Sequence, residues 1–260
     1  FSNLPRLEFT TQKASNQDNL VDILNRAKLN LLWLENDGGC KGVCDKIPHE
    51  TINPKQKPWC DGLTCYDEVF LEGLQERIDR LKGKNAFLVL HIIGSHGPTY
   101  YERYPQSHKI FQPDCPRSDI QNCTQEELVN TYDNTILYTD FVISRLIEVL
   151  KKNESDWNTG LLYLSDHGES LGEHGLYLHG FPYSLAPKEQ THVPFITWFS
   201  EGFAEGKKLD LNCLKHDSNT KAYTHDNLFH SMLGLMDVST TDYDSQLDMF
   251  KSCRKTSKEA

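Results

Sequence analysis

The sequence predicts an α/β fold: a mainly parallel central sheet flanked by helices on both faces. Three observations carry that expectation. The apolar runs NLLWL (Asn30–Leu34), AFLVLHII (Ala86–Ile93) and LLYLS (Leu161–Ser165) do not alternate with polar residues, as suits strands covered on both sides. Segments with apolar residues at helical spacing separate them. Each run also stops in a polar, glycine-bearing cluster, where open α/β sheets place their ligand sites.

The elements follow in order. Ser15-Asn16-Gln17-Asp18 has the form of a capping box, and Leu20, Ile23, Leu24 and Ala27 repeat behind it at helical spacing. Asn30–Leu34 is the first strand, ending in Glu35-Asn36-Asp37-Gly38-Gly39. Asp67–Lys82 reads as one helix with Val69, Phe70, Leu74, Ile78 and Leu81 on one side. Ala86–Ile93 is the clearest strand and ends at Gly94-Ser95-His96-Gly97-Pro98. Thr124-Gln125-Glu126-Glu127 is a second capping box, opening a long helix striped by Leu128, Tyr132, Ile136, Val142, Leu146 and Leu150. Leu161–Ser165 and His192–Phe199 supply two more strands. A last helix begins after Thr224, with Leu228, Phe229, Met232 and Met236 facing one way. No internal repeat or low-complexity linker interrupts residues 1–260, which read as one domain.

Composition is that of a globular protein, 38% hydrophobic and 25% charged. The net charge of −10, without a basic stripe, argues against a nucleic-acid partner. No apolar run approaches the roughly 18 residues of a membrane helix. The sequence begins at Phe1 with neither Met nor a signal peptide, which reads as a piece of something longer. Six of the eight cysteines fall in close pairs: Cys40/Cys44, Cys60/Cys65 and Cys115/Cys123. Zinc ribbons would want C-x2-C knuckles; these wider spacings suit disulfide-closed loops, and hence an oxidising compartment. Cys213 and Cys253 are left as a candidate fourth pair.

The strand-end clusters hold the candidate chemistry. Asp166 and His167, followed by the permissive Gly168, offer a carboxylate and an imidazole to one metal ion, a donor set that suits zinc. The alternative is that Asp166 caps a following helix and His167 merely packs. His96 and His179 come from separate loops at the same rim, each able to bind a second metal or a phosphate oxygen. Lys41, in a glycine-rich turn flanked by Cys40 and Cys44, is a candidate point charge for a phosphate. Glu35, Asp37 and Glu169 are candidates to orient ligand histidines. His174 reads as an exposed loop residue, His91 as a core residue and His225 as part of a helix start. There is no G-x-S-x-G, no Walker A loop and no G-x-G-x-x-G, so phosphate chemistry here would run on metal.

Ser165–Phe195 (SDHGESLGEHGLYLHGFPYSLAPKEQTHVPF) resembles the signature region of the lipid A phosphoethanolamine transferases. That group, within the alkaline phosphatase/sulfatase superfamily, includes the mobile colistin-resistance enzymes. Leu32–Pro48, His91–Pro105 and Tyr132–Ile147 resemble the same family, so the likeness covers essentially the whole chain. D-H-G alone fits many sulfatase-like enzymes; its combination with Y-L-H-G and A-P-K-E-Q is far more specific. The resemblance implies a periplasmic catalytic domain, held at the inner membrane by N-terminal helices absent from this chain. It implies Asp166 and His167 as zinc ligands, His96 and His179 serving substrate phosphate or a second zinc, and Lys41 contacting phosphate. It implies transfer of phosphoethanolamine from phosphatidylethanolamine to a lipid A phosphate through a covalent threonine intermediate, and with it polymyxin resistance. The family's nucleophilic threonine and a zinc-binding glutamate match nothing in residues 1–260; Thr10 and Thr11 fall after that motif. The rival reading is a secreted sulfatase-like or phosphodiesterase-like metallohydrolase.

Overall fold

The computed structural model describes residues 1–55, 57–81 and 85–255. Its helices are α1 (Thr11–Ser15), α2 (Leu20–Arg26), α3 (Leu74–Asp79), α4 (Gln125–Lys152), α5 (Lys188–Thr191), α6 (Glu201–Gly206), α7 (Leu211–Thr220) and α8 (Asp226–Leu235). Its strands are β1 (Asn30–Glu35), β2 (His49–Thr51), β3 (Ala86–His91), β4 (Gly160–Leu164), β5 (Ser170–Leu171), β6 (Tyr177–Leu178) and β7 (Phe195–Phe199).

Strands β2, β1 and β3 form a parallel sheet in that order, Leu34 pairing with both Glu50 and Leu90. Successive side chains of β3 point to opposite faces, and each face meets its own helices. Phe87 and Val89 pack with Leu20, Leu24, Phe229 and Leu233 of α2 and α8. Leu88 and Leu90 pack with Tyr138, Val142 and Leu146 of α4. The sheet is therefore covered on both sides, as the unbroken apolar runs require.

β4 pairs antiparallel with β7, from Gly160 opposite Phe199 to Leu164 opposite Phe195. Periodicity cannot reveal that direction, because both strands are short apolar runs. β7 starts at Phe195 rather than His192; Pro194 has no N–H for a ladder. Among the described residues β3 and β4 are not hydrogen-bonded to one another, and each has one edge without a partner strand. Both nevertheless feed the same two clusters: Leu162 joins Phe87 and Val89, and Leu161 joins Leu88 and Leu90.

Local chemistry explains the remaining differences. The segment expected as one helix over 67–82 is a 3-10 turn (Asp67–Leu71) followed by α3, because Gly73 between them adopts left-handed φ 65°. Its expected end, Lys82, lies outside the described residues. The first capping box is formed by Asn19 and Asp22 and not by Ser15–Asp18; Ser15 closes α1, which Thr10 caps. Thr124 and Glu127 form the expected reciprocal cap of α4. On α4 the buried line runs through Leu128, Thr131, Thr135, Tyr138, Val142 and Leu146, which leaves Ile136 half exposed, a quarter turn away. All eight cysteines are paired as 40–44, 60–65, 115–123 and 213–253. No described helix is long and apolar enough to cross a membrane.

Candidate functional site: a three-histidine rim at the strand ends

His96 follows β3, His167 follows β4, and His179 leaves the β5–β6 hairpin. Their rings converge. His167 and His179 stack at 3.9 Å between centroids, His96 lies 5.0 Å from His179, and 6.2 Å separates His96 from His167. The hydrogen bonds of the three rings follow one rule. His96 Nδ1 is 2.7 Å from the Gly97 carbonyl, and His167 Nδ1 is 3.0 Å from the Gly168 carbonyl. A carbonyl oxygen only accepts, so both Nδ1 atoms carry the proton and donate. His179 Nδ1 is 3.0 Å from Glu169 Oε1 and donates to that carboxylate. Each ring thus keeps its Nε2 lone pair for a ligand, the arrangement that fixes tautomer and orientation at metal sites.

Asp166 completes the rim. Its Oδ1 accepts from the His167 N–H at 3.1 Å, and its Oδ2 is 3.8 Å from His167 Nε2. Two tetrahedral ligands of zinc, each about 2.0–2.2 Å from the ion, sit about 3.3–3.6 Å apart, so this pair fits one ion with little adjustment. The Asp166 side chain is 84% exposed and faces outward. No helix follows it; the chain goes on to β5, so Asp166 is not a helix cap. His167, Glu169 and His179 also bring ligand atoms within 4.8 Å of one another.

The loop 165–169 owes its shape to close packing. A Cβ at Gly168 would lie 2.0 Å from the Glu189 carbonyl oxygen, so glycine is required there for backbone approach. The Gly168 N–H donates to Gln190 O at 3.0 Å. Ser165 Oγ donates to the His167 carbonyl at 2.7 Å, and His225 Nε2 donates to the Ser165 carbonyl at 2.9 Å. His225 does stand at the entrance to α8, as expected, but its ring also braces this loop.

Buried polar groups hold the neighbouring loops. Glu169 Oε1 accepts from the Gly97 N–H at 3.1 Å as well as from His179, tying the β3 and β4 loops together. The Tyr100 hydroxyl lies against Glu169; burial first, then that carboxylate, push its pKa well up, so it stays protonated. Asp67, fully buried, accepts from Asn36 Nδ2 at 2.8 Å and from the Ile93 and Gly94 N–H groups at 3.0 and 2.9 Å. Arg103 Nε donates to the His96 carbonyl at 2.9 Å. At the end of β1, Glu35 accepts from Trp33 Nε1, His91 Nδ1 and the Asp37 N–H. Burial works to raise the Glu35 pKa, but these donors outweigh it and hold it low. His91 is thus a bonded partner of Glu35, with Nε2 3.9 Å from Asp37. Asp37 is pushed up, by burial first and then by Glu35 and Asp166, against the pull of His96 and His91.

The structure therefore brings together Asp166, His167, His96 and His179. Lys41 stands apart: it is exposed, at left-handed φ 51° in the turn closed by Cys40 and Cys44, and no hydrogen bond or ion pair links its ammonium to the histidines. His174 is exposed, as expected. Asp67, Arg103 and Tyr100 are the supporting residues that sequence reading passed over. Asp67 looks like any acid at a helix start, and only the tertiary fold aims donors at it.

Fold and rim together define an α/β domain of the alkaline phosphatase/sulfatase type. The Sulfatase family profile matches residues 1–238, and the chain belongs to that family, within its phosphoethanolamine transferase branch. It is 49% identical over 258 residues to phosphoethanolamine transferase EptA of Salmonella typhimurium, which covers 99% of this chain and 47% of that protein. The soluble domain of lipooligosaccharide phosphoethanolamine transferase A from Neisseria meningitidis matches with a TM-score of 0.94 and 44% identity, over 98% of this chain and 77% of that one. The C-terminal periplasmic domain of phosphoethanolamine transferase EptC from Campylobacter jejuni matches at 0.84 and 39%, with the same coverage. The chain spans about half the length of the curated relatives it matches.

Proposed function

We propose that this chain is the periplasmic catalytic domain of a zinc-dependent phosphoethanolamine transferase at the bacterial inner membrane. It takes the group from phosphatidylethanolamine and passes it to a lipid A phosphate, conferring polymyxin (colistin) resistance. The observation that carries the reading is the rim of three histidines, each with Nδ1 tied and Nε2 free, beside Asp166. The names of the relatives narrow its chemistry to phosphoethanolamine transfer.

Asp166 and His167 would hold zinc, and the 3.8 Å between their ligand atoms supports that fit. When bound, zinc lowers the pKa of the nucleophile and neutralises charge on the transferring phosphoryl group. His96 and His179 present Nε2 to the substrate phosphate or to a second zinc. Glu169 keeps His179 in the tautomer that does so. Lys41, exposed on the disulfide-closed turn, offers a cation to a phosphate oxygen.

The attacking threonine and a zinc-binding glutamate come from a segment outside residues 1–260. Such a segment could add a strand at the edge of β3 or β4, which are not hydrogen-bonded to one another yet share both core clusters. Residues 1–260 alone then bind zinc weakly and transfer nothing. The test uses a longer version reaching upstream of Phe1, with phosphatidylethanolamine and lipid A. Mass spectrometry should find phosphoethanolamine on a threonine and then on lipid A. Release of free phosphoethanolamine to water, with lipid A unmodified, would favour the metallohydrolase; robust turnover by residues 1–260 alone would sink the two-segment site.

A further inference from the structure

The loop that carries His179 goes on into a run of solvent-facing apolar side chains. Tyr177, Phe181, Tyr183 and Leu185 are 38%, 40%, 50% and 73% exposed. The run is shaped rather than frayed: the Leu185 and Ala186 N–H groups both donate to the Pro182 carbonyl, making a turn with its side chains displayed outward. The N-terminal segment joins it. Arg6 stacks over the Tyr183 ring at 5.8 Å and is anchored through its N–H to Asp226 of α8. Leu7 and Phe9, next along, are 84% and 43% exposed, but the exposed Glu8 between them keeps that stretch out of an acid-free face. Exposed apolar groups scattered singly need no explanation; several on one loop, beside a candidate site, do.

Charge says what the patch faces. The chain carries 37 acidic residues and a net charge of −10, yet residues 176–188 contain no acid and contribute Lys188, and Arg6 lies over their Tyr183. An acidic protein approaches an anionic surface only through a face from which its acids are absent. Aromatic rings with polar tips, flanked by basic side chains, are the chemistry that settles at the headgroup level of a bilayer.

We propose that Phe181, Tyr183 and Leu185 form a surface that rests on a phospholipid leaflet and sets the histidine rim at headgroup height. The proposal rests on the reading of that rim as a site for a phospholipid headgroup. A donor lipid then reaches His179 without leaving its bilayer. Insertion is shallow and reversible, because three side chains are far less than a membrane anchor.

The test is co-flotation of residues 1–260 with vesicles of phosphatidylethanolamine and phosphatidylglycerol. The wild-type chain floats, and more strongly than with phosphatidylcholine vesicles. The triple variant Phe181→Ser, Tyr183→Ser, Leu185→Ser loses about tenfold or more of its partition. Its melting temperature falls by a few degrees at most and the chain stays folded at the assay temperature, since all three side chains are 40% or more exposed. Leu63→Ser, which removes a 92% exposed leucine from the Cys60–Cys65 loop, partitions like wild type. In Tyr183→Trp, tryptophan emission shifts to the blue when these vesicles are added. His179→Ala leaves partition intact, so a failure of transfer in the longer protein would fall on the functional reading and not on this surface. No flotation of the wild-type chain, or equal flotation of the triple variant, overturns the proposal. So does a wild-type dimer in sedimentation velocity that the triple variant dissolves without any vesicle binding, which would assign the patch to a second copy.

Discussion

Glu169 Oε1 lies 3.0 Å from His179 Nδ1 and 3.1 Å from the Gly97 N–H, so one buried carboxylate oxygen orients a rim histidine and clamps the neighbouring loop. Orienting carboxylates of this kind change metal affinity about 10–100-fold when removed. Glu169→Gln keeps an acceptor but loses the charge that favours a donating Nδ1–H. Zinc affinity is expected to fall about tenfold, the lower end of that range, in a competition titration against a chromophoric chelator. An unchanged affinity would mean that His179 stands outside the metal's surroundings.

Gly168 is the steric keystone of the Asp166–His167 loop. An added Cβ meets the Glu189 carbonyl oxygen at 2.0 Å and its carbon at 3.1 Å, both backbone atoms that cannot swing away. Gly168→Ala is expected to cost about 1–3 kcal/mol, the usual range for overpacking. Because the strain falls on the loop itself, zinc affinity should drop with it. Thermal denaturation with and without zinc separates the two: the variant melts lower in chelator and gains less from added metal. A variant matching wild type in both would refute the close approach.

Asp67 makes a different kind of contribution, since it touches no candidate ligand. Its two oxygens accept three hydrogen bonds that join the end of β1, through Asn36, to the start of the His96 loop, through Ile93 and Gly94. Asp67→Asn replaces one acceptor oxygen by a donor and leaves a buried N–H unsatisfied, at a cost of about 1–3 kcal/mol. Urea denaturation should show that loss without a change in the m-value, as the fold stays the same.

Much of this was legible from local chemistry. Thr124 and Glu127 announce the start of α4 because a reciprocal cap is written in four consecutive residues. Asp166-His167-Gly168 announces the rim because it closes an unbroken apolar run, where α/β folds place their ligand loops. Other features had no local signature. The break at Gly73 sits inside a stretch whose apolar spacing suits one helix, and only packing selects left-handed φ there. The antiparallel course of β7 leaves no trace in an unbroken apolar run. The sequence around Gly168 suggests only a turn, whereas the requirement for glycine comes from the Glu189 carbonyl on a distant segment. The partnership of Asp67 with Gly94, or of His225 with Ser165, exists only once the sheet has formed.

His230 gives the fold a pH dependence remote from the rim. Its side chain is buried in α8, and Nδ1 accepts the Asp244 N–H at 3.0 Å, which only the deprotonated nitrogen can do. Burial lowers its pKa and prevails over the attraction of Asp244, Asp248, Asp226 and Asp242. A depressed folded pKa means that the unfolded chain binds the proton more readily, so stability rises with pH across this titration. The contribution is fully present above the unfolded histidine pKa, about 6.5. It is lost as pH falls from there toward the lower folded value. His230→Gln can still accept the Asp244 N–H through its amide oxygen but has no proton to gain. Melting temperatures measured from pH 7.5 down to 5.5 should fall more steeply for the wild-type chain than for His230→Gln. Parallel curves would show that some other group sets the acid-side loss of stability.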